Sequence, residues 1–187
     1  MKKYRKLFIV LTGLSIVSIA LFSMWSISES KVSYEEPQEA LLAEDEDLVL
    51  IPTYKTQDEA LFFFIENENN LGAAMVFKNL LGWKADFRTW SPFNEITTEE
   101  KVGGYQIHGE RVIFGLMKDG DDQAMMINNV PAATIALEIS LPNEADNDEL
   151  NGLYLWYYET DNLETITSLS LVNRSTNKEI DASPFPN

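Results

Sequence analysis

The sequence has no cysteine in its 187 residues. This absence excludes disulfide bonds, thiolate metal sites, a cysteine nucleophile and the acylated cysteine of a bacterial lipoprotein. A fold without disulfides is held by its hydrophobic core alone, which fits a bacterial cell surface better than a eukaryotic secretory route.

Histidine and the common catalytic motifs are scarce as well. His108 is the only histidine, and the sequence lacks the G-x-S-x-G, H-E-x-x-H and G-x-x-x-x-G-K-[ST] motifs. A catalytic base needs a positioned nucleophile or substrate, and no motif supplies one here. We therefore expect His108 to be a surface residue with a backbone partner at the end of a strand, and hydrolases built on these motifs are disfavoured.

Basic residues are scarce beyond the N-terminus. All 30 acidic residues but only 10 of the 14 basic residues follow residue 27, which gives that part of the chain a formal charge of −20. Such a field repels phosphate backbones, so nucleic acid is excluded as a partner.

One long apolar run stands near the start of the chain. Leu7–Ile27 contains 21 residues without a charge, and as a helix it would be about 31 Å long, close to the thickness of the hydrocarbon core of a bilayer. Four basic residues lie in the stub before it, residues 1–6. The positive-inside rule therefore places the N-terminus in the cytoplasm and residues 28–187 outside the cell membrane.

The alternative to a transmembrane anchor is a cleaved signal peptide, for which Ser26-Ile27-Ser28 would be the cut site. The apolar run is longer than the core of a usual signal peptide, and Trp25 stands where an interfacial aromatic residue would. Both observations favour an uncleaved anchor at residues 7–27, followed by a polar tether at residues 28–34.

Residues 35–180 are predicted to form one mainly β domain, with α+β as the other possible class. Short apolar runs separated by turn residues indicate about eight to ten short strands, a pattern typical of an antiparallel sandwich or curled sheet. One short helix is expected to begin near Glu36, with Pro37 in its first turn.

Individual segments carry more specific expectations. Pro52 places the strand Leu48–Tyr54 at a sheet edge, whereas the apolar run Ala60–Glu66 indicates a central strand. Residues 91–101 are expected to be a loop and residues 133–141 a strand. Residues 181–187 carry two prolines and are expected to be a frayed tail.

Aromatic residues on the strands suggest where a partner could bind. Trp83 and Trp156 are expected to fill the core. Exposed aromatic side chains would instead form a binding surface for a peptide, a glycan or a partner domain. The candidates for such a surface are Trp90, Tyr154 and Tyr158.

Three acidic clusters offer carboxylate oxygens to Ca²⁺, which takes six to eight oxygen ligands. They are Glu44–Asp47, Asp119–Asp122 and Glu144–Glu149. A calcium loop that starts at Asn147 would need a bidentate Glu at its twelfth position, where Tyr158 stands, so the pattern fails. A hairpin turn explains Asp119–Asp122, and no metal ligand or other cofactor is assigned.

Several segments resemble a group of small, uncharacterised, membrane-anchored extracytoplasmic proteins of Bacillus-like Gram-positive bacteria. The resemblance covers most of residues 35–180 and rests on a basic and apolar N-terminus, Glu39-Ala40-Leu41-Leu42, the segment from Leu71-Gly72 through Leu81-Gly82-Trp83-Lys84, Phe114-Gly115 and Leu155-Trp156. It departs where Ala85-Asp86-Phe87 stands in place of a second aromatic residue and a Gly-rich turn. The resemblance implies location and fold, and it carries over no active-site residue.

We therefore expect a non-catalytic binding or envelope-sensing module whose partner is an envelope protein or a wall component. The alternative is an extracytoplasmic enzyme that uses carboxylates on a wall or glycan substrate. The separation of such carboxylates is a property of the fold, so the sequence assigns no catalytic residue.

Overall fold

The fold is taken from a computed structural model, which describes residues 2–98, 102–140 and 152–185. The helices in this part of the chain are α1 (Lys2–Ser30), α2 (Pro37–Leu42), α3 (Phe93–Ile96) and α4 (Leu137–Ser140), with a 3-10 turn at Leu163–Thr165.

Strands make up most of the rest of the described chain. They are β1 (Val49–Lys55), β2 (Glu59–Glu66), β3 (Asn70–Asn79), β4 (Gly82–Pro92), β5 (Thr97–Thr98), β6 (Gln106–His108), β7 (Val112–Lys118), β8 (Gln123–Ile127), β9 (Val130–Pro131), β10 (Ala133–Ala136), β11 (Leu153–Glu159), β12 (Ser168–Asn173) and β13 (Lys178–Pro184). The prediction of a mainly β fold with an N-terminal apolar helix is confirmed.

The strands form three sheets. The first sheet has the order β1-β2-β3-β4, the second β10-β11-β7-β5 with β6 also paired to β7, and the third β13-β12-β8-β9. The pairing of β5 with β7 is parallel, whereas β7 pairs antiparallel with both β11 and β6.

The chain divides into two compact units. The first comprises Met1–Glu46, Lys55–Ala60 and Val76–Ala85, and the second comprises Asp47–Tyr54, Leu61–Met75 and Asp86–Asn187. This division does not follow the predicted boundary at residue 35, because one end of each strand of the first sheet belongs to the first unit.

The first unit contains the predicted apolar helix. Within α1, Leu11–Ser30 is long and apolar enough to cross a membrane. Helix α1 continues into the segment predicted as a tether and ends at Ser30, whose hydroxyl donates to the Ile27 carbonyl at 3.1 Å. Tyr34, at the end of that segment, pairs with Trp83 in an isolated antiparallel bridge. Only a few residues therefore separate the helix from the β structure.

Helix α2 begins where the sequence predicts. Pro37 occupies its first turn, where a missing N–H breaks no hydrogen bond. The Glu39 carboxylate accepts a hydrogen bond from the Glu36 backbone N–H at 3.2 Å, which satisfies a donor at the helix start.

In the second unit, the first and second sheets pack face to face. Phe63 of β2 is fully buried, and its ring centroid lies 5.1 Å from that of Phe114 and 5.3 Å from that of Tyr157. The apolar cluster between these sheets also contains Ile51, Leu61, Ile65, Leu71, Ala73, Met75, Phe93, Val112, Leu116, Leu137, Leu153 and Leu155. The central position predicted for β2 and the edge position predicted for β1 are confirmed.

The opposite face of the second sheet packs against the third sheet. This second cluster contains Ile113, Met117, Met125, Ile127, Ala132, Trp156, Ile166, Leu169, Leu171 and Phe185. Gly115 pairs with Trp156 across β7 and β11, and a Cβ atom at Gly115 would lie 2.8 Å from Trp156 Cζ2. The glycine thus makes room for the indole, and the prediction that Trp156 and Trp83 are core residues is confirmed.

Three segment predictions are wrong. Residues 93–98 form α3 and β5 rather than a loop, and Phe93 is buried in the first cluster. The strand predicted at residues 133–141 ends at Ala136, after which α4 begins and Leu137 is fully buried. The predicted frayed tail, residues 181–187, includes the last four residues of β13, a strand that tolerates Pro184 because it lies at the edge of the third sheet.

Candidate functional site

Two exposed aromatic side chains lie on β4. This strand is at the edge of the first sheet and exposes Phe87 and Trp90, whose side chains are 53% and 51% accessible. We call these two residues the aromatic edge. Since successive side chains of a strand point to opposite faces, Phe87 belongs to one face of β4 and Trp90 to the other.

His108 supports the Phe87 side of this edge. The prediction that His108 is a surface residue with a backbone partner is wrong, because the residue is only 2% exposed. Its Nδ1 atom lies 3.0 Å from Thr89 Oγ1 in a hydrogen bond, and its ring centroid lies 4.7 Å from that of Phe87. The side chain is buried because β6 brings it against the end of β4.

Burial lowers the pKa of His108 below its ordinary value of 6.5, and the negative charge of Asp86 opposes this shift. The imidazole is therefore neutral at pH 7. A neutral imidazole offers one donor and one acceptor nitrogen, and the hydrogen bond with Thr89 engages one of them.

A second hydrogen bond joins the same two strands. The Ser91 hydroxyl donates to Gln106 Oε1 at 2.7 Å. Together with the bond between Thr89 and His108, it fixes the C-terminal half of β4 against β6. The strand that carries the aromatic edge is therefore held in place by the hydrogen bonds of Thr89 and Ser91.

Arg88 covers the other face of β4. Its guanidinium carbon lies 5.7 Å from the centroid of the Phe64 ring, and one of its nitrogens lies 3.8 Å from Glu66. The Phe64 ring in turn packs over Gly72, where a Cβ atom would meet it at 2.2 Å. Trp90 follows Arg88 by two residues on this face and stays exposed.

The other two predicted aromatic candidates lie in a different sheet. Tyr154 and Tyr158 are half-buried on β11, on the face that packs against the second cluster. Tyr154 also packs against Gly120, and a hydrogen bond to the Asp121 carboxylate raises its pKa. Of the three predicted residues, only Trp90 lies at the aromatic edge, and Phe87 is the neighbour that the sequence did not single out.

The acidic clusters have local structural roles where they are described. In Asp119–Asp122 the Asp119 carbonyl accepts hydrogen bonds from the backbone N–H groups of Asp122 and Gln123, both at 2.9 Å, which closes a turn. Glu144–Glu149 lies outside the described residues. Within the described ranges, no three His, Asp or Glu side chains gather in a way that could hold a metal ion.

A polar cluster that the sequence did not indicate lies at the end of β11. Glu159 Oε1 accepts hydrogen bonds from the Tyr54 hydroxyl and from Arg111 Nη2, both at 2.9 Å. In the sequence, Glu159 is 105 positions from Tyr54 and 48 positions from Arg111, so no local pattern could have predicted these contacts. The cluster contains one carboxylate, and its contacts link β1, the turn just before β7 and the end of β11.

Comparison with protein-family models, curated proteins and solved structures found no match. The features of this protein that point to a function are therefore α1 and the aromatic edge.

Proposed function

We propose that this protein is a single-pass membrane protein retained by α1, with its N-terminus in the cytoplasm, and that its β-rich part binds a component of the cell envelope outside. The observation that supports the anchor is the exposure of α1. Leu14, Val17 and Leu21 are each about 60% accessible, and none of the span is buried inside the protein. A helix that is apolar on all sides needs lipid to cover it.

Charge supports the orientation. The four basic residues before the apolar run favour the cytoplasmic side, and Lys31 is the only basic residue among the twenty that follow the run. Trp25, near the outer end of the span, packs its ring against Phe22 with centroids 5.6 Å apart. An aromatic residue at this depth fits the interface between lipid and water. The resemblance to proteins of Bacillus-like bacteria supports a Gram-positive envelope.

Single-cysteine variants test orientation because the chain has no cysteine of its own. In intact cells a membrane-impermeant maleimide should label Val130→Cys, at an exposed site, and should label Lys3→Cys only after lysis. The reverse pattern would refute the orientation.

Retention is tested separately by fractionation and mass spectrometry. The full-length chain should stay in the membrane pellet after alkaline carbonate washing. A mature chain that begins near Ser28 and is found in the culture medium would show that the segment is a cleaved signal peptide.

The aromatic edge supports the binding role. Two large aromatic side chains that remain about half exposed on a well-held edge strand offer both apolar area and a strand edge to a partner. Such a surface suits an envelope protein or a wall polymer.

Photo-crosslinking in intact cells tests this role. A photoreactive phenylalanine analogue at position 90 should give a discrete crosslinked species, whereas the same analogue at the exposed position 130 should not. Phe87→Ser should weaken the crosslink from position 90 without changing the amount of protein. Equal crosslinking from positions 90 and 130, or no crosslink at all, would contradict the binding role of the aromatic edge.

A further inference from the structure

The turn between β3 and β4 exposes apolar side chains in the first unit. Leu80 is 89% accessible, Leu81 39% and Phe77 40%. We call these three residues the apolar tip. An almost fully exposed leucine beside two further exposed apolar residues is a feature of surfaces that contact something else.

The turn is well ordered. The Asn79 side-chain oxygen accepts hydrogen bonds from the backbone N–H groups of Leu81 at 2.8 Å and of Gly82 at 3.0 Å. Gly82 has φ of +143°, and a Cβ atom there would lie 2.4 Å from the Tyr34 carbonyl oxygen. The turn therefore needs glycine at this position, and it holds Leu80 at the outermost point.

Contacts from both strands fasten this hairpin to the end of α1. The Asn79 amide donates to the Glu29 carboxylate at 2.9 Å, and Lys84 forms an ion pair with the same carboxylate at 3.2 Å. The backbone bridge between Tyr34 and Trp83 adds a third link. The position of the apolar tip along the axis of α1 is thus set by Glu29.

Glu29 lies at the level of the lipid headgroups if α1 spans the bilayer. The apolar run ends at Ile27, two residues earlier, which is about 3 Å along the helix axis. The headgroup region extends roughly 5–7 Å beyond the hydrocarbon core on each side. Leu80 directly follows Asn79, which contacts Glu29, so the tip is within reach of the outer acyl chains.

Two exposed lysines lie next to the leucines of the apolar tip. Lys78 stands between Phe77 and Leu80, and Lys84 follows Leu81 by three residues. Lys78 also lies over the Trp83 ring, with Nζ 5.5 Å from its centroid. Leucines with a lysine on either side in the sequence match the combination of acyl chains and phosphate groups at a bilayer surface. This arrangement is unusual in a chain whose outer part is strongly acidic.

We propose that the apolar tip inserts into the outer leaflet beside α1 and forms a second lipid contact, which restricts rotation of α1 and the attached hairpin about the helix axis. This inference rests on the proposed function, since it requires α1 to span the bilayer. It also adds to that function, because a lone transmembrane helix would be free to rotate about its own axis.

Spin labels on single cysteines measure depth in the bilayer. The full-length variants Ile16→Cys, Ile27→Cys, Lys31→Cys and Leu80→Cys would be labelled with a nitroxide and placed in nanodiscs. Collisions with oxygen, which concentrates in lipid, would be compared with collisions with a water-soluble nickel chelate. Leu81→Cys provides a second label on the tip.

The positions on α1 calibrate the result. The label at position 16 should lie deepest, the one at 27 near the edge of the hydrocarbon core and the one at 31, just beyond α1, in the outer headgroup region, where collisions with the chelate dominate. The label at 80 should resemble the one at 27, with oxygen collisions dominating. If labels at 80 and 81 behave like the one at 31 while the one at 16 lies deep, the tip proposal fails and the anchor stands. If the label at 16 is open to the chelate, the anchor itself fails.

Lipid composition separates apolar insertion from attraction by the lysines. The label at 80 should lie at the same depth in phosphatidylcholine nanodiscs with and without phosphatidylglycerol, because the leucines insert whatever the headgroup charge. Lipid contact that occurs only with phosphatidylglycerol would assign the interaction to Lys78 and Lys84 and overturn the role of the leucines.

Discussion

Replacement of His108 by asparagine should remove part of the dependence of stability on pH. In the folded protein the imidazole is buried, and its pKa lies below the ordinary value of 6.5. As pH falls below 6.5, the unfolded chain binds a proton at His108 more readily than the folded chain does, so the free energy of unfolding decreases. The stabilising contribution is therefore present above pH 6.5 and is lost on acidification.

The size of this effect has an upper limit. If the folded imidazole stays neutral down to pH 5.5, the unfolded chain gains close to one proton between pH 7.5 and 5.5. The loss of stability from this residue is then at most about 1.4 kcal/mol. For a chain of this length, that corresponds to a decrease in Tm of about 3–6 °C. His108→Asn should lack this part of the decrease, because asparagine keeps a polar atom near Thr89 but does not titrate.

The measurement is urea unfolding of the full-length protein in detergent at pH 7.5 and 5.5, followed by tryptophan fluorescence. The two proteins carry the same carboxylates, so subtracting the loss of stability of His108→Asn from that of wild type isolates the contribution of His108. Asp86→Asn is the matched control, since it removes the charge that raises the His108 pKa and should leave the wild-type decrease at least as large. An equal decrease in His108→Asn and wild type would refute the buried, neutral imidazole.

Three further substitutions test the packing described above, each by the change in free energy of unfolding. Gly115→Ala should destabilise the protein by about 1–3 kcal/mol, because the added Cβ would lie 2.8 Å from Trp156 Cζ2; an unchanged stability would show that the indole can shift. Phe63→Ala should cost about 3–5 kcal/mol, since the ring is fully buried in the first cluster, and a cost below 1 kcal/mol, roughly that of a surface change, would contradict this packing. Tyr54→Phe should cost about 0.5–1.5 kcal/mol through loss of the hydrogen bond to Glu159, and no cost would mean that this bond is not made in solution.

Much of the secondary structure follows from local sequence. Pro37 indicates the start of α2, and the run that is apolar on both faces indicates β2. The structure agrees with both predictions. The alternation in β11 likewise places Tyr154, Trp156 and Tyr158 on one face and Leu153, Leu155 and Tyr157 on the other. These are effects of periodicity and capping, which a single segment contains.

The wrong predictions concern segments whose secondary structure depends on packing against the rest of the fold. The alternation of Ile135 and Leu137 fits a strand, but the chain turns into α4 and still buries Leu137 in the first cluster. Pro184 suggested a frayed end, yet it lies on an edge strand, where a missing N–H is tolerated. In both cases the sequence pattern allowed two structures and tertiary packing selected one.

The candidate site was predictable only in part. Trp90 could be chosen because it is an aromatic residue on a strand with polar neighbours. Phe87 and His108 could not, because their contact joins residues from β4 and β6. Tyr154 and Tyr158 are partly buried because they pack against the third sheet. The strands of that sheet come before and after β11 in the chain, so the sequence of β11 alone does not show this contact.

The place of β11 within the core affects the order in which the protein can fold. The hairpins of the first sheet pair residues that are close in sequence, but β11 has to pair with β7 across more than thirty intervening residues. As the chain is made from its N-terminus, Leu61, Phe63 and Leu71 emerge long before residues 153–159 complete the layer that covers them. A partly synthesised chain would therefore expose this apolar surface to solvent. Slow synthesis or premature termination before residue 153 should favour aggregation.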